Sequence, residues 1–168
     1  MVETKDAIYF NKKKNEFQYM SMFSNSKFKE DDVIFNCCYQ YVIYMKLLLF
    51  DPFNNKLIDK LLKEKNPSNL KKLNKLIKNI DDELWEKNKY DIIVMGYELI
   101  FNQNVKLKKK ILKTKNKQLY KISKNDRELG IGFNTKNALK TDKKEYGQNL
   151  LGKALMEVRN DFYFIYNL

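Results

Sequence analysis

Apolar residues in this chain recur mostly at intervals of three and four, the period of an amphipathic helix. Residues 37–50 read CCYQYVIYMKLLLF, and only Gln40 and Lys46 are strongly polar there. A helix over this run is apolar nearly all round and belongs at the centre of the protein. Asp51-Pro52 ends it, because proline lacks the amide proton and disfavours helical geometry in the residue before it. Leu57, Ile58, Leu61 and Leu62 predict a second helix within residues 54–65. Asn66 then offers a cap and Pro67 a first helical position for a third, whose Leu70, Leu73, Leu76, Ile77 and Ile80 keep the period. Asp81-Asp82-Glu83 puts negative charge where the next helix dipole favours it. That helix carries Trp85 and the apolar run 92–101. Leu107, Ile111 and Leu112 predict a basic helix over 105–115. From about Gly147, Leu150, Leu151, Ala154, Leu155, Val158 and Phe162 mark a final one.

Strand patterns are few. Residues 8–10 and 17–23 are aromatic-rich and flank a lysine–asparagine turn, which predicts a hairpin or two short strands. After a break at Ser24-Asn25-Ser26, residues 32–35 predict another strand, and 118–123 a weaker one on Leu119 and Ile122. The polar loop 134–144 is expected to be mobile. With no internal repeat or linker, the expectation is a single domain over residues 1–168. Its class is α+β, mainly helical, with a small N-terminal β element.

Composition sharpens this picture at a few points. A chain of 168 residues can bury a core of ordinary depth. Four of its five glycines, Gly130, Gly132, Gly147 and Gly152, fall within DRELGIGF and EYGQNLLGKALMEVR. Such a concentration reads either as a loop where a ligand approaches bare backbone or as a turn packed tightly on a helix. The net charge of +12 creates a field that attracts phosphates. Its dense runs, 12–14 and 106–110, read as solvated faces or as a basic surface for nucleic acid. Cys37 and Cys38 are adjacent and there is no histidine. A disulfide framework, a His-containing zinc site and Ser-His-Asp or Cys-His chemistry are therefore excluded. No metal or cofactor is expected. No apolar run has the length of a membrane span or the form of a signal peptide, so the expectation is a soluble intracellular protein without a membrane partner.

Candidate chemistry is concentrated in a few residues. Lys46 sits on the apolar central helix, with Val42, Ile43, Leu49 and Phe50 on its face. Desolvation there lowers the pKa of an amine, and a neutral amine can capture a sugar as a Schiff base. The alternative is a lysine that snorkels to water. Arg127 suits a phosphate or carboxylate, and Asp126 suits ribose hydroxyls, or the two form a salt bridge or turn cap. Asn149 and Arg159 are ligand contacts or structural hydrogen-bonders. Trp85 either stacks on a base or sugar or belongs to the core.

In this order, Ser24-Asn25, the tyrosine-rich helix ending in Lys46, Pro67 followed by KKLNK, Trp85, DRELGIG and GQNLLGKALMEVR resemble the NADAR (YbiA-like) domain family. The resemblance runs from Ile8 to Phe162 and is most specific in the last block. It implies a mainly helical α+β fold. It also implies N-glycosidase activity, cleaving the ribose C1–N bond of ADP-ribosylated guanine or of a phosphoribosylated riboflavin-pathway intermediate. The partner is then ADP-ribose or a ribose phosphate. Lys46 matches the family lysine proposed to act covalently, and Asp126 is its catalytic companion. Asn25, Trp85, Arg127, Gly130, Gly132 and Asn149 are the implied ligand contacts.

The chain departs from the family pattern at several positions. Tyr39 stands where the family has a glutamate seven residues before the lysine. Asn74-Lys75 replaces a Gly-Arg, Leu129 a tryptophan, and Lys121 a glutamate. Two carboxylates suited to acid/base work are thereby absent. Three functions stay open: an active N-glycosidase, a catalytically degenerate NADAR fold that binds ADP-ribose or a nucleotide, and a nucleic-acid-associated structural protein.

Overall fold

Helices carry most of the chain in the computed structural model, which describes residues 2–11 and 15–166. In order the elements are β1 (Val2–Glu3), β2 (Ala7–Phe10), a 3-10 turn (Gln18–Met20), β3 (Phe28–Glu30), β4 (Val33–Phe35), α1 (Cys38–Phe50), α2 (Asn55–Lys63), α3 (Pro67–Asn74) and α4 (Asp82–Gln103). Then follow α5 (Val105–Leu112), β5 (Gln118–Lys121), α6 (Thr135–Ala138), a 3-10 turn (Lys143–Glu145) and α7 (Leu150–Tyr166). The chain divides into two units, Met22–Asn104 and Met1–Ser21 with Val105–Leu168. This mainly helical α+β architecture is the one the periodicity predicts.

In the Met22–Asn104 unit, α1 packs against α2, α3, α4 and β4. Ile43, Leu47, Phe50, Leu57, Leu61, Leu70, Leu73 and Ile77 form a buried cluster. Gln40 is fully buried in α1. Its Nε2 donates to the carbonyls of Leu61 (2.8 Å) and Glu64 (3.0 Å), and its Oε1 accepts from the Asn36 N–H (2.7 Å). The polar residue in the greasy helix thus satisfies the open C-terminal carbonyls of α2. Side-chain oxygens of Asn54, Asn66 and Asp81 accept from Leu57, Ser68 and Leu84 and start α2, α3 and α4. The expected continuation of α3 to Ile80 does not form. Asn79 takes φ 54°, turning the chain so that Asp81 can cap α4, while Ile77 and Ile80 still meet the core. The strand expected at 32–35 is β4, paired antiparallel with β3.

The other unit holds a three-stranded sheet in the order β1-β2-β5. β2 pairs antiparallel with β1 and parallel with β5, Ile8 opposite Leu119. Both edges of β2 are therefore occupied, and this explains why residues 17–23 are not the expected partner strand. They form the 3-10 turn and bury Phe17, Tyr19 and Met20 instead. The lysine–asparagine turn and the basic run 12–14 lie largely outside the described residues. Helix α7 packs on β5 and on α5. The stretch 134–144, expected to be a loose loop, contains α6. Asn134 caps it, and the Tyr146 hydroxyl donates to the carbonyl of buried Ala138 at 2.7 Å. Among the described residues no helix is long and apolar enough to cross a membrane.

Candidate functional site

In the Met22–Asn104 unit, α1 and α4 bring Lys46 and Trp85 together. Lys46 Nζ lies 4.6 Å from the centroid of the Trp85 ring, a cation–π contact. Trp85 in turn meets Phe50 edge-on at 6.5 Å. Lys46 is half-buried rather than enclosed, because Leu48 and Leu49 beside it are each 39% exposed. Four residues after Trp85, on the same face of α4, stands Lys89, which the sequence reading passed over. It is the buried lysine among the described residues, at 5% exposure, and its Nζ lies 2.5 Å from Glu86 Oε1. Its spacing from the lone tryptophan was the available signal. Asn25 is exposed on the segment preceding β3, where the Ser26 N–H donates to the Asn36 carbonyl.

Tyr39 and Asn74 touch one another in this unit. Tyr39 is hydrogen-bonded to the side chain of Asn74. Burial pushes the Tyr39 phenol above its ordinary pKa, and the Asn74 bond only partly opposes this. A neutral phenol at this position cannot replace a carboxylate as a base near pH 7.

In the other unit, residues 126–132 are tied to residues 147–151 by their backbones. Gln148, Asn149, Leu150 and Leu151 donate to the carbonyls of Arg127, Gly130, Glu128 and Leu129. These carbonyls satisfy the open N-terminal donors of α7, so that end of the helix is not presented to an anion. The loop's own donors are also used. The Ile131 N–H meets the Lys121 carbonyl, and the Gly132 N–H meets the Asp126 carbonyl at 3.0 Å each. Gly132 has φ 80°, and a Cβ on Gly147 would lie 2.2 Å from the Arg127 carbonyl oxygen. Close packing and a left-handed turn therefore account for these glycines. The Gly132 N–H and the Gly130 carbonyl are both bonded within this unit.

What the loop offers outward is charge. Asp126 Oδ2 lies 2.5 Å from Lys121 Nζ, and its Oδ1 accepts from the Leu129 N–H at 2.9 Å. Burial raises the pKa of this carboxyl. The Lys121 hydrogen bond and charge, with the Leu129 and Gly130 N–H groups, outweigh that and hold it below the ordinary aspartate value. Arg127 is exposed; its Nη2 donates to the Glu145 carbonyl at 2.7 Å and its guanidinium lies 5.7 Å from the Phe133 ring. Asn149 is buried with φ 54°, its Oδ1 accepting from the Lys121 N–H (3.0 Å) and its Nδ2 donating to the Leu119 carbonyl (2.8 Å). Its amide thus fastens the start of α7 to β5. Arg159 is buried too, and its Nη1 donates to Thr114 Oγ1 (2.9 Å) and the Lys117 carbonyl (2.8 Å). Among the described residues no cluster of His, Cys, Asp and Glu suits a metal ion.

A family model described as the NADAR domain matches residues 9–163. The chain belongs to the NADAR family. Among NADAR relatives, N-glycosidase R617 of Acanthamoeba polyphaga mimivirus is 36% identical over 124 residues, which is 73% of this chain and 71% of that protein. The NMR structure of the E. coli protein YbiA superposes with a TM-score of 0.77 at 20% identity, covering 98% of this chain and 89% of that one. At that identity the likeness to YbiA speaks for the fold. The NADAR fold here thus carries an aromatic-held lysine in one unit and a charged, internally bonded loop in the other.

Proposed function

We propose that this NADAR protein is an N-glycosidase that cleaves the bond between ribose C1 and a base nitrogen, on an ADP-ribosylated or phosphoribosylated substrate. The observation that carries the reading is the Lys46 amine poised 4.6 Å over the ring of Trp85. The 36% identity to a protein named as an N-glycosidase supports it. In the proposed reaction the Lys46 nitrogen bonds to C1 as the C1–N bond breaks. The bonding pair leaves with the base nitrogen, which takes up a proton. The glycosylamine so formed opens its C1–O4′ bond, the ring oxygen taking the proton from the Lys46 nitrogen, to give a Schiff base; water then adds at C1 and the amine is expelled, releasing the free sugar phosphate. Trp85 offers an apolar face to the sugar.

The test is incubation with ADP-ribosylated guanine in DNA and with a phosphoribosyl pyrimidine. Release of free sugar phosphate, abolished by Lys46→Ala, supports the reading; no release from either substrate class overturns it.

A second reading is favoured by two particular residues. Tyr39 is a neutral phenol at a family carboxylate position, and Lys121 neutralises Asp126. Both features fit a protein that binds the ligand without turning it over. Borohydride trapping of a sugar on the protein without product release separates this reading from the first.

A further inference from the structure

The net charge of +12 is not spread evenly. Residues 105–125 contain nine lysines and no acidic residue. Several of these lysines are engaged within the unit. Lys117 pairs with Glu3 at 2.7 Å, Lys121 pairs with Asp126, and Lys108 lies 3.9 Å over the Phe162 ring. Lys106, Lys109, Lys110 and Lys113 form a set of four exposed lysines, of which Lys110 lies 5.7 Å over the Tyr19 ring; Lys115 and Lys124 are exposed as well. Their spacing of three, four and seven residues puts them on one stripe of α5. The stripe continues past the last α5 residue because the Lys113 N–H still bonds to the Lys109 carbonyl at 3.2 Å.

We propose that this stripe is a docking surface for the phosphodiester backbone of nucleic acid. The inference is independent of the glycosidase reading. From Lys106 to Lys113 the helix rises about 10 Å. Along one DNA strand phosphates advance about 3.4 Å each, so the stripe spans about three such steps, which join about four phosphates. A lipid surface fits less well. An interfacial helix needs a free apolar face to insert, whereas Ile111 is fully buried and α5 packs on α7. Lys110 and Lys113 also border a cavity of about 300 Å³ whose lining includes Glu3 and Glu16. Those carboxylates disfavour phosphate inside the cavity, which leaves the outer line of the stripe as the contact.

The test uses the full chain and a fluorescent DNA duplex of arbitrary sequence, titrated between 50 and 200 mM salt. With about four phosphates neutralised, log affinity falls with log salt at a slope of about −3.6, which is roughly a hundredfold loss over that range. The variant with Lys106, Lys109, Lys110 and Lys113 all changed to Gln is expected to lose most of the binding and of the slope. The same four changed to Arg should retain both. A control with Lys56, Lys60, Lys75 and Lys78 changed to Gln removes the same charge elsewhere and should also bind. Thermal melting of each variant checks that it is folded. Equal loss in the control and the stripe variant, salt-independent binding, absent duplex binding, or stronger binding to phosphatidylserine vesicles than to the duplex would each overturn the proposal.

Discussion

Lys121 Nζ lies 2.5 Å from Asp126 Oδ2, so the aspartate of the Asp-Arg motif is ion-paired with a lysine of β5. The same residue's N–H is held by Asn149 and its carbonyl holds the Ile131 N–H. Lys121 thus joins β5, the glycine loop and the start of α7. Its side chain is 21% exposed and that of Asp126 29%, so water screens the pair only in part.

This pair makes stability depend on pH with a definite sign. The folded carboxyl of Asp126 titrates below its unfolded value, so its contribution is fully present above the unfolded pKa and is lost as pH falls through the folded one. Lys121→Met should cost on the order of 1–2 kcal/mol at pH 7. The difference from the parent protein should shrink below about pH 4. Urea unfolding of both proteins at pH 7 and pH 3 measures it; a gap that is constant with pH would show that the ion pair is not its source.

Asn149→Ala removes an acceptor for the Lys121 N–H and a donor for the Leu119 carbonyl, both within the β5–α7 packing. The expected cost is about 2–3 kcal/mol, a fall in Tm of roughly 4–12 °C. Gly152→Ala should cost at least as much, because its Cβ would lie 2.0 Å from the Leu119 carbonyl oxygen. Thermal melts of the two variants provide the check.

Borohydride reduction during turnover should leave the sugar on the peptide containing Lys46, as read by mass spectrometry. Lys89, one helical turn beyond Trp85, is the informative alternative, and an adduct there would move the nucleophile to α4. Trp85→Phe should preserve turnover, while Trp85→Ala should weaken sugar binding by about 1 kcal/mol, roughly fivefold in KM.

Tyr39→Glu places a carboxylate seven residues before Lys46, where the resemblance to the family implies one. An added acid/base group of this kind is worth about 10²–10⁴-fold in rate, and a gain toward the lower end is expected because the Asn74 partner is retained. Tyr39→Gln is the control and should show no gain. Equal rates for the two variants would place the limiting step elsewhere.

Much of the helical framework was legible because its causes are local. Asn54, Asn66 and Asp81 cap helices through N–H groups two or three residues away, and Asp51-Pro52 stops α1 by its own geometry. The aromatic residues at 17–23 misled for the opposite reason. Their alternation suits a strand, yet β2 already has β1 on one edge and β5 on the other, and β5 enters from more than a hundred residues downstream. For the candidate site, the residue types and the Asp-Arg-glycine motif were visible in the sequence. The pairing of Lys46 with Trp85, of Tyr39 with Asn74 and of Lys121 with Asp126 was not.

The sequence by itself determined the family and the longer helices, since periodicity and caps act over a few positions. Only the tertiary structure decided which side chains are spent on the fold. Gln40 closes α2, Asn149 and Arg159 bind backbone carbonyls, and Asp126 is locked to Lys121. Those assignments depend on groups brought close by burial, where an unpaired polar atom costs more than the bond that satisfies it returns.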